Sequence, residues 1–458
     1  MRIALFIFIV MPCFAVTREV GSGQTHATIA ACIAAASAAD VCNIHAGTYS
    51  ENVTISKAIT IRANTGDSPI ISGTVTFTAG GATLSGLTVT TASCSYLISA
   101  SGLDQVTIQN NTAHGCANGY GIYTRNSTRV LITGNTVYGN ETGIGFISCH
   151  STDGTYANGC TISNNTVHDN PEDGTEGNGE YVTLSGNNVY NNIDTTWAAN
   201  HPDGIQFLGA CADGYCAGNH WMIYSNTFRN QTQNIFIEGT AGDASSDALD
   251  VWIFNNIAYN DGSTVNGVNL STLSTVSLML KNARNAYVFG NYFGSSGASG
   301  TSAHIQGCYD GSIHFKNNLV INMVSYGLYA EDPADFASGE LDYNLYYTGG
   351  AEPIIWGAAF YATVAAFHSA VSAMETHGVG ANPTLNTLPT PTPQAGSPVI
   401  AAGANLTSLG VAALNSDKSG IARPSSGAWD IGAYQYQSGG PTAGISGRVT
   451  VSGKVTIK

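Results

Sequence analysis

An asparagine that returns with its own flanking pattern is the sequence feature that most constrains the fold. The phrase VTIQNNTAHG at 106–115 recurs in variants such as VLITGNTVYGN at 130–140 and WMIYSNTFRNQ at 221–231. The shared position, at intervals of 22 to 39 residues, is occupied by Asn111, Asn135, Asn165, Asn187, Asn226, Asn256, Asn291, Asn318 and Asn344. Each phrase joins alternating apolar residues to a turn at Asn, which tolerates left-handed backbone. This period predicts a solenoid in which each repeat contributes one coil.

A second kind of short strand lies between the asparagine phrases. Its members include GIYT at 121–124, GIGFIS at 143–148, GIQFLG at 204–209, NIFIEG at 234–239 and SLMLKN at 277–282. No amphipathic helix separates the two kinds of strand, which favours a solenoid over βαβ units. The sequence therefore predicts an all-β rod of roughly ten coils, with strands of successive coils about 4.8 Å apart. Inside it, we expect the asparagine side chains to form a hydrogen-bonded ladder.

The repeats resemble those of secreted right-handed parallel β-helix proteins, the pectate-lyase-like superfamily. The stretch 25–63, which contains THATIAACIAAASAADVCN and GTYSENVTI, resembles the helical cap and first coil of that superfamily. The stretches GSPVIAAG at 396–403 and DKSGIARPSSGAWDIGAYQY at 417–436 resemble the closing segment of its bacterial members. The resemblance spans nearly the whole chain and implies a right-handed parallel β-helix. It leaves the specific enzyme family open, because the repeats specify a fold and not a reaction.

The chain divides into five predicted parts. Residues 1–15, MRIALFIFIVMPCFA, predict a secretory signal peptide, because an apolar stretch lies between one Arg and a small residue. The other parts are a cap and first coil at 16–63, the parallel β-helix at 64–350, a C-terminal helix and capping segment at 351–436, and a linker with a short β tail at 437–458. No later run of about 18 apolar residues occurs, so we expect an exported protein, secreted or at the cell surface, without a membrane span.

Charge excludes one class of partner. Only 10% of the residues are charged, and the formal net charge is −15. A chain this acidic repels polyanions, so nucleic acid is not expected as a partner.

The cysteines form near neighbours along the chain. In an exported protein this spacing predicts four local disulfides, Cys32–Cys42, Cys94–Cys116, Cys149–Cys160 and Cys211–Cys216, with Cys308 left unpaired. Zinc binding is the rival interpretation, but no C-x-x-C pair meets a second one.

Side chains that point outward from the second kind of strand form the predicted binding face. One outward column is Gly145, Gln206, Phe236, Met279, His304 and Tyr329, and the next is Ile147, Leu208, Glu238, Lys281, Gln306 and Glu331. Substrates in the superfamily usually lie in a groove across one stacked sheet, so the resemblance implies a polysaccharide partner. We expect substrate contacts from Gln206, Phe236, Glu238, Arg284, His304 and Tyr329.

Three residues beside this face are candidates for catalysis. His201 and Asp203 precede Gln206 in NHPDGIQF, and they could act as a base and its orienting acid. The alternative is that Asp203 caps the turn while His201 lies at the surface. Lys281 is the other candidate base, with Arg284 neutralising a substrate carboxylate. The alternative for Lys281 is a stacked salt bridge with Glu238.

The acidic stretch DNPEDGTEGNGE at 169–180 suggests a metal. Its carboxylates are the hard oxygen ligands that Ca²⁺ prefers, and Glu172, Asp173 and Glu176 are the predicted ligands. Because the ordered spacing of an EF-hand is missing, a solvated acidic loop is the alternative.

Three functional hypotheses follow. The first is a lyase- or epimerase-like enzyme that removes the proton next to the carboxylate of a uronate glycan. The second is a non-catalytic carbohydrate-binding or adhesive rod, favoured by the absence of the polygalacturonase, pectin methylesterase and pectate lyase signatures. The third is a glycoside hydrolase with Asp203 and Glu238 as its carboxylate pair.

Overall fold

Three parallel faces build the rod. The computed structural model describes residues 15–196, 202–207, 219–239, 248–295, 300–309, 311–322, 326–348 and 353–438. Within them the chain passes from face 1 to face 2 to face 3 in each coil, and each strand pairs in parallel with the equivalent strand of the next coil. The rod has about 12 coils, slightly more than the roughly ten predicted. The difference arises because the coils before residue 106 lack the asparagine phrase.

The strand bounds are as follows. Face 1 contains Val53–Ile55, Val75–Phe77, Tyr96–Ser101, Tyr120–Arg125, Thr142–Cys149, the first part of Thr175–Ser185, Asp203–Phe207, Gln233–Glu238, Val276–Lys281, Thr301–Gln306, Tyr326–Ala330 and Ile354–Trp356. Face 2 contains Thr17–Val20, Val41–Ile44, Thr60–Ala63, Thr83–Ser85, Thr107–Gln109, Leu131–Thr133, Cys160–Ser163, the second part of Thr175–Ser185, Asn219–Tyr224, Ala248–Phe254, Ala283–Phe289, Ile313–Lys316 and Leu341–Asp342. Face 3 contains Thr48–Tyr49, Ile70–Ser72, Thr88–Thr90, Thr112–His114, Thr136–Tyr138, Thr166–His168, Asn188–Tyr190, Thr227–Arg229, Ile257–Tyr259, Tyr292–Ser295, Leu319–Asn322, Leu345–Thr348 and Val379–Gly380.

The remaining elements cap or decorate the rod. An α-helix at Ile29–Ala35 begins at the N-cap Thr28 and buries Ile29, Cys32 and Ile33 against the first coils. A second α-helix at Val364–Ala370 covers the other end, and short 3₁₀ helices lie at Tyr156–Asn158, Leu270–Thr272, Pro333–Asp335, Thr407–Leu409 and Ala412–Asn415. Antiparallel pairs join Ile354–Trp356 to Ala359–Tyr361 and Thr264–Val265 to Val268–Asn269. The segment 351–436, for which the sequence predicts a C-terminal helix, thus contains both the strand Ala359–Tyr361 and the helix Val364–Ala370.

Aliphatic side chains stack in register along the inside of the rod. On face 1 this inward column contains Ile98, Ile122, Ile144, Thr175, Ile205, Ile235, Leu278, Ala303, Leu328 and Ile354, none more than 1% exposed. Burying each Ile or Leu contributes about 1.5–3 kcal/mol relative to leaving it in water. This continuous core requires the alternate residues of every strand to point outward.

The predicted asparagine ladder runs through the bend between faces 2 and 3. Asn226 is typical: its Nδ2 donates to the carbonyl of Leu184 at 3.0 Å and to Asn256 Oδ1 at 3.0 Å. Its Oδ1 accepts from the backbone N–H and from the Nδ2 of Asn187, both at 2.9 Å. Left-handed backbone occurs one residue earlier than predicted, for example at Ser225 with φ 56° and Asn255 with φ 56°. That preceding residue makes the turn, and the ladder asparagine is thereby directed inward.

A buried glutamate ends the ladder. Glu375 Oε1 accepts from Asn344 Nδ2 at 2.7 Å and from the Tyr346 hydroxyl at 2.6 Å, and Oε2 accepts from the Asn344 N–H at 3.3 Å. Burial raises the pKa of Glu375 to about 8, although these hydrogen bonds oppose the rise. Glu375 thus supplies to Asn344 the acceptor that the next ladder asparagine supplies elsewhere.

Three of the four predicted disulfides are confirmed: Cys32–Cys42, Cys94–Cys116 and Cys149–Cys160. Cys211 and Cys216 lie outside the described residues, as do positions 1–14 of the predicted signal peptide and most of the 437–458 tail. Cys308 is a free thiol, as predicted. Among the helices that the structure describes, none is long and apolar enough to cross a membrane.

Replacing Asn226 by Ala tests the ladder. We expect the free energy of unfolding to fall by about 3 kcal/mol or more, because buried donors and acceptors on two neighbouring coils lose their partners. Chemical denaturation followed by circular dichroism measures the change. Asn188, an exposed asparagine of the preceding coil, provides the control Asn188→Ala, for which a change within about 0.5 kcal/mol is expected. Equal losses in both variants would contradict the stabilising role of the ladder.

The ladder end has a testable pH dependence. The pKa of Glu375 rises from the usual 4.5 to about 8 on folding, so the folded state binds the proton more tightly than the unfolded state. Its contribution to stability is complete below pH 4.5, falls as the pH rises to 8, and is level above that. Glu375→Gln, which mimics the protonated acid, should flatten this part of the stability–pH curve in denaturation experiments. A slope preserved in Glu375→Gln would refute the assignment.

Candidate active site

The predicted outward column of face 1 is confirmed by the strand register, with one addition. Consecutive partners are Gly145, Glu176, Gln206, Phe236, Met279, His304 and Tyr329. Glu176 therefore occupies the strand between Gly145 and Gln206. The sequence predicted Glu176 within an acidic loop at 169–180, but its part TEGNGE at 175–180 is a strand. The stretch is a strand because its backbone continues the parallel pairing on both sides.

Only the first part of the acidic stretch, 169–174, is a loop. Thr175–Ser185 is a strand of 11 residues, and the side chains of Asp173 and Glu176 are buried. Among the residues that the structure describes, no three His, Cys, Asp or Glu side chains are arranged to hold a metal ion. Glu172, Asp173 and Glu176 are thus not grouped as ligands, and calcium binding stays an untested prediction.

Four carboxyl groups meet at this point on face 1: Glu172, Asp173, Glu176 and Asp203, which we call the acidic cluster. Asp173 Oδ1 accepts a hydrogen bond from the backbone N–H of Asp203 at 2.7 Å. Burial, followed by repulsion from Asp203 and Glu176, raises the pKa of Asp173 well above its usual range. Burial, followed by repulsion from Glu238 and Glu176, does the same to Asp203. Asp173 and Asp203 are therefore coupled acids in which burial and mutual repulsion favour the protonated form.

Glu176 is the member of the cluster that belongs to the outward column. It is 7% exposed, and burial raises its pKa to about 7, with repulsion from Glu172 and Glu141 adding to the rise. The hydroxyl of Tyr120 donates a hydrogen bond to Glu176 Oε1 and opposes that rise. A carboxyl group with a pKa near 7 can both donate and accept a proton at neutral pH.

Gly145 makes the contact between Tyr120 and Glu176 possible. The two residues lie two coils apart, and Gly145 occupies the strand between them. A Cβ atom on Gly145 would lie 2.8 Å from Tyr120 Cε1 and 2.9 Å from Tyr123 Cδ2, closer than side-chain atoms normally approach. The missing side chain therefore lets the ring of Tyr120 cross the intervening coil.

Two charged pairs lie further along face 1. Lys281 forms an ion pair with Glu238, which is the alternative that the sequence left open for it. His304 Nε2 lies 2.9 Å from Glu331 Oε1, and its ring stacks on Tyr329 with centroids 4.6 Å apart. Burial lowers the pKa of His304 in spite of the neighbouring carboxylate. These side chains form a polar wall on the C-terminal side of the acidic cluster.

Several predicted site residues are placed differently from expectation. Asp203 is fully buried and does not lie at an open groove edge, and Phe236 is only 5% exposed, so neither presents a free surface. Arg284 follows the bend at Asn282 and belongs to face 2, where its guanidinium lies 3.9 Å from the ring centre of Tyr309. It is therefore not grouped with Lys281. His201 lies outside the described residues.

Sequence reasoning missed the three tyrosines of face 1. Tyr96 and Tyr120 are paired in register, and Tyr123 follows on the same strand as Tyr120. The signal was present, because SYLISAS at 95–101 and YGIYTR at 120–125 align with GIGFIS at 143–148. The predicted outward column begins at Gly145, so it does not contain the residues of the two preceding coils.

The comparisons with known proteins agree with this architecture. The family model described as "Right handed beta helix region" matches residues 44–219. The chain is a right-handed parallel β-helix. Pectate lyase Pel9A shares 14% sequence identity at a TM-score of 0.41, with 92% of this chain and 98% of that chain covered. The A-module of mannuronan C-5 epimerase AlgE6 from Azotobacter vinelandii shares 12% identity at a TM-score of 0.46, with 75% and 91% covered. The tailspike receptor binding domain of Siphovirus 9NA shares 10% identity at a TM-score of 0.39, with 75% and 76% covered.

The search among curated proteins gave no match. Identities this low concern the β-helix fold alone and say nothing about the reaction.

Replacing Tyr120 by Phe tests the electrostatics of Glu176. The hydroxyl of Tyr120 stabilises the charged carboxylate, so its loss should raise the pKa of Glu176 above about 7. Infrared titration of protein with labelled glutamate carboxyls measures the shift, and Glu176→Gln identifies the relevant band. The matched control Tyr123→Phe should leave the pKa of Glu176 unchanged. A Glu176 band that titrates identically in wild type and Tyr120→Phe would disprove the contact.

Proposed function

We propose that the protein is a polysaccharide-active enzyme that cleaves glycosidic bonds on face 1, with Glu176 as its general acid. The observation that carries the proposal is the pKa of about 7 at Glu176, a carboxyl group on the outward column among three further carboxyls. Glycoside hydrolases usually use a pair of carboxyl groups, one protonated and one ionised, to hydrolyse a glycosidic bond. The fold also occurs in polysaccharide-active proteins such as pectate lyase Pel9A. This is compatible with a glycan as the partner of this chain but does not define the reaction.

Each group has a role in this scheme. Protonated Glu176 donates its proton to the bridging oxygen as the bond to the anomeric carbon breaks. Glu172, which accepts a hydrogen bond from Thr142 Oγ1 at 3.0 Å and is more exposed, takes a proton from the attacking water. The water oxygen bonds to the anomeric carbon, and the leaving sugar keeps the proton from Glu176. Tyr120 holds the Glu176 side chain in place, and burial, with repulsion from Glu172 and Glu141, keeps its pKa high.

Charge favours a neutral glycan over the uronate glycan of the first hypothesis. A uronate placed beside the acidic cluster would be repelled by the negative charge of its ionised carboxyl groups. Lys281, a cation on the C-terminal side of the cluster, is already paired with Glu238. Neutralising a substrate carboxylate with Lys281 would require that ion pair to break.

One observation supports a second candidate. The Lys281 side chain is 36% exposed on the same face, so it could reach a uronate bound on the C-terminal side of the cluster. In that case a lyase or epimerase reaction would proceed by proton abstraction next to the carboxylate, as first hypothesised. The two reactions leave different products: hydrolysis creates reducing ends, and elimination also creates an unsaturated ring that absorbs ultraviolet light.

A product assay with site variants tests the proposal. The full chain is incubated with neutral polymers (mixed-linkage glucan, xylan, galactomannan) and with acidic ones (alginate, polygalacturonate). We expect reducing ends without ultraviolet absorbance from a neutral polymer, at a rate that declines as the pH rises past about 7 and Glu176 loses its proton. Glu176→Gln should lower the rate by about 10²- to 10⁴-fold, and Lys281→Met should leave it within about twofold.

Other outcomes would redirect the assignment. Ultraviolet absorbance that is lost in Lys281→Met and retained in Glu176→Gln would support the lyase hypothesis instead. Binding of a polymer without any product would support the non-catalytic rod.

A further inference from the structure

We propose that Tyr96, Tyr120 and Tyr123, the tyrosine platform, form a binding subsite for neutral sugars on the N-terminal side of Glu176. Rows of small hydroxyl side chains continue the subsite toward the N-terminus. The substrate would then extend from the acidic cluster in both directions, and the enzyme would cut within polysaccharide chains. This inference rests on the proposed function for its catalytic consequence, but the binding that it predicts can be measured separately.

The tyrosine platform has the geometry of a stacking surface. The rings of Tyr96 and Tyr123 are stacked with centroids 4.2 Å apart and an interplanar angle of 22°. Tyr120 lies 5.7 Å from Tyr96 and 5.0 Å from Tyr123. Tyr96 is 38% exposed, which makes it one of the few large apolar side chains at the described surface. An exposed aromatic ring held rigidly by its neighbours offers an apolar face for a pyranose ring at low entropic cost.

Small hydroxyl residues lie next to the platform. The register places Thr54, Thr76 and Ser99 in the same outward column as Tyr123, on the three preceding coils. Ser99 Oγ lies 3.4 Å from Thr76 Oγ1, and all three side chains are at least partly exposed. These short side chains form a shallow surface beside the tyrosine platform, which we call the hydroxyl shelf. Their hydroxyl groups can both donate and accept, as sugar hydroxyls require.

Spacing connects the platform to the proposed catalytic residue. Tyr123 and Glu176 are two strands apart, which corresponds to about 10 Å, and Thr54 lies about 14 Å further along the rod. These lengths accommodate several sugar residues on the N-terminal side of Glu176. Gln206, His304 and Tyr329 continue the outward column on the other side. A polymer aligned with this column would therefore pass over Glu176 with both of its ends beyond the catalytic position.

Chemistry selects a neutral polymer as the occupant. The platform and the shelf present aromatic rings and hydroxyl groups, and the adjoining cluster presents carboxyls. Arg125, the neighbouring cation, is engaged with the hydroxyl of Tyr123, whose pKa it lowers against the larger effect of burial. A polyanion would be repelled by the adjoining carboxyls, whereas a neutral sugar can stack and form hydrogen bonds.

Affinity gel electrophoresis with mixed-linkage glucan, xylan or galactomannan in the gel tests the subsite. Wild type should be retarded by at least one of these polymers, and Tyr96→Ala should bind it roughly fivefold more weakly, since one stacking contact is lost. The matched control is Tyr347→Ala, which removes a tyrosine of similar exposure, 36%, from face 3. Thermal unfolding of both variants verifies that the fold is retained. Glu176→Gln should bind as tightly as wild type.

The results separate this inference from the proposed function. If a polymer retards wild type and Tyr96→Ala equally, or if none of the three retards wild type, the subsite is refuted, whatever the cleavage assay shows. If Tyr96→Ala binds weakly while Glu176→Gln still cleaves at the wild-type rate, the subsite holds and the catalytic assignment fails. Where cleavage occurs, wild type should lower the viscosity of the polymer early, with few reducing ends released. Single sugars released from the chain end at constant viscosity would overturn cleavage within the chain.

Discussion

The asparagine ladder is the interaction on which the rest of the structure depends. Each ladder side chain accepts from the coil on one side and donates to the coil on the other, as Asn226 does with Asn187 and Asn256. A buried amide must satisfy both its N–H and C=O groups, and a stack with one amide per coil does so only when the coils repeat at the strand spacing. Coil lengths between 22 and 39 residues are therefore accommodated without loss of register, because extra residues extend loops outside the ladder.

Constant register is what assembles the candidate site. Tyr120 and Glu176 are 56 residues apart in the chain, yet they touch because two coils separate them and Gly145 leaves the space between them open. The same stacking places Asp173 directly beside Asp203. Acidic groups are thus held together by the backbone, and their pKa values rise because burial and mutual repulsion both disfavour ionisation. A scaffold built for stability in this way produces groups with pKa values suited to acid catalysis.

The C-terminal segment packs against faces 2 and 3 of the rod. Trp429 and Leu414 meet the apolar residues Phe254 and Phe289 at the end of face 2. The buried guanidinium of Arg423 donates to Asn255 Oδ1 at 2.7 Å, at the left-handed turn that precedes a ladder asparagine. The turn residues that direct the ladder inward therefore also hold the closing segment. Faces 2 and 3 are used for this packing, and face 1 carries the tyrosines and the acidic cluster.

The sequence by itself determined the solenoid, the ladder, the local disulfides that the structure describes and most of the outward column. These features depend on residues that repeat at a regular spacing or lie close together in the chain. It did not determine which acids would be buried: TEGNGE has the composition of a loop, and only pairing with neighbouring coils makes it a strand. Likewise, Arg284 is three residues from Lys281 but belongs to another face, because the chain bends at Asn282. The protonation and grouping of the site were decided by the tertiary structure, since they arise from contacts between coils.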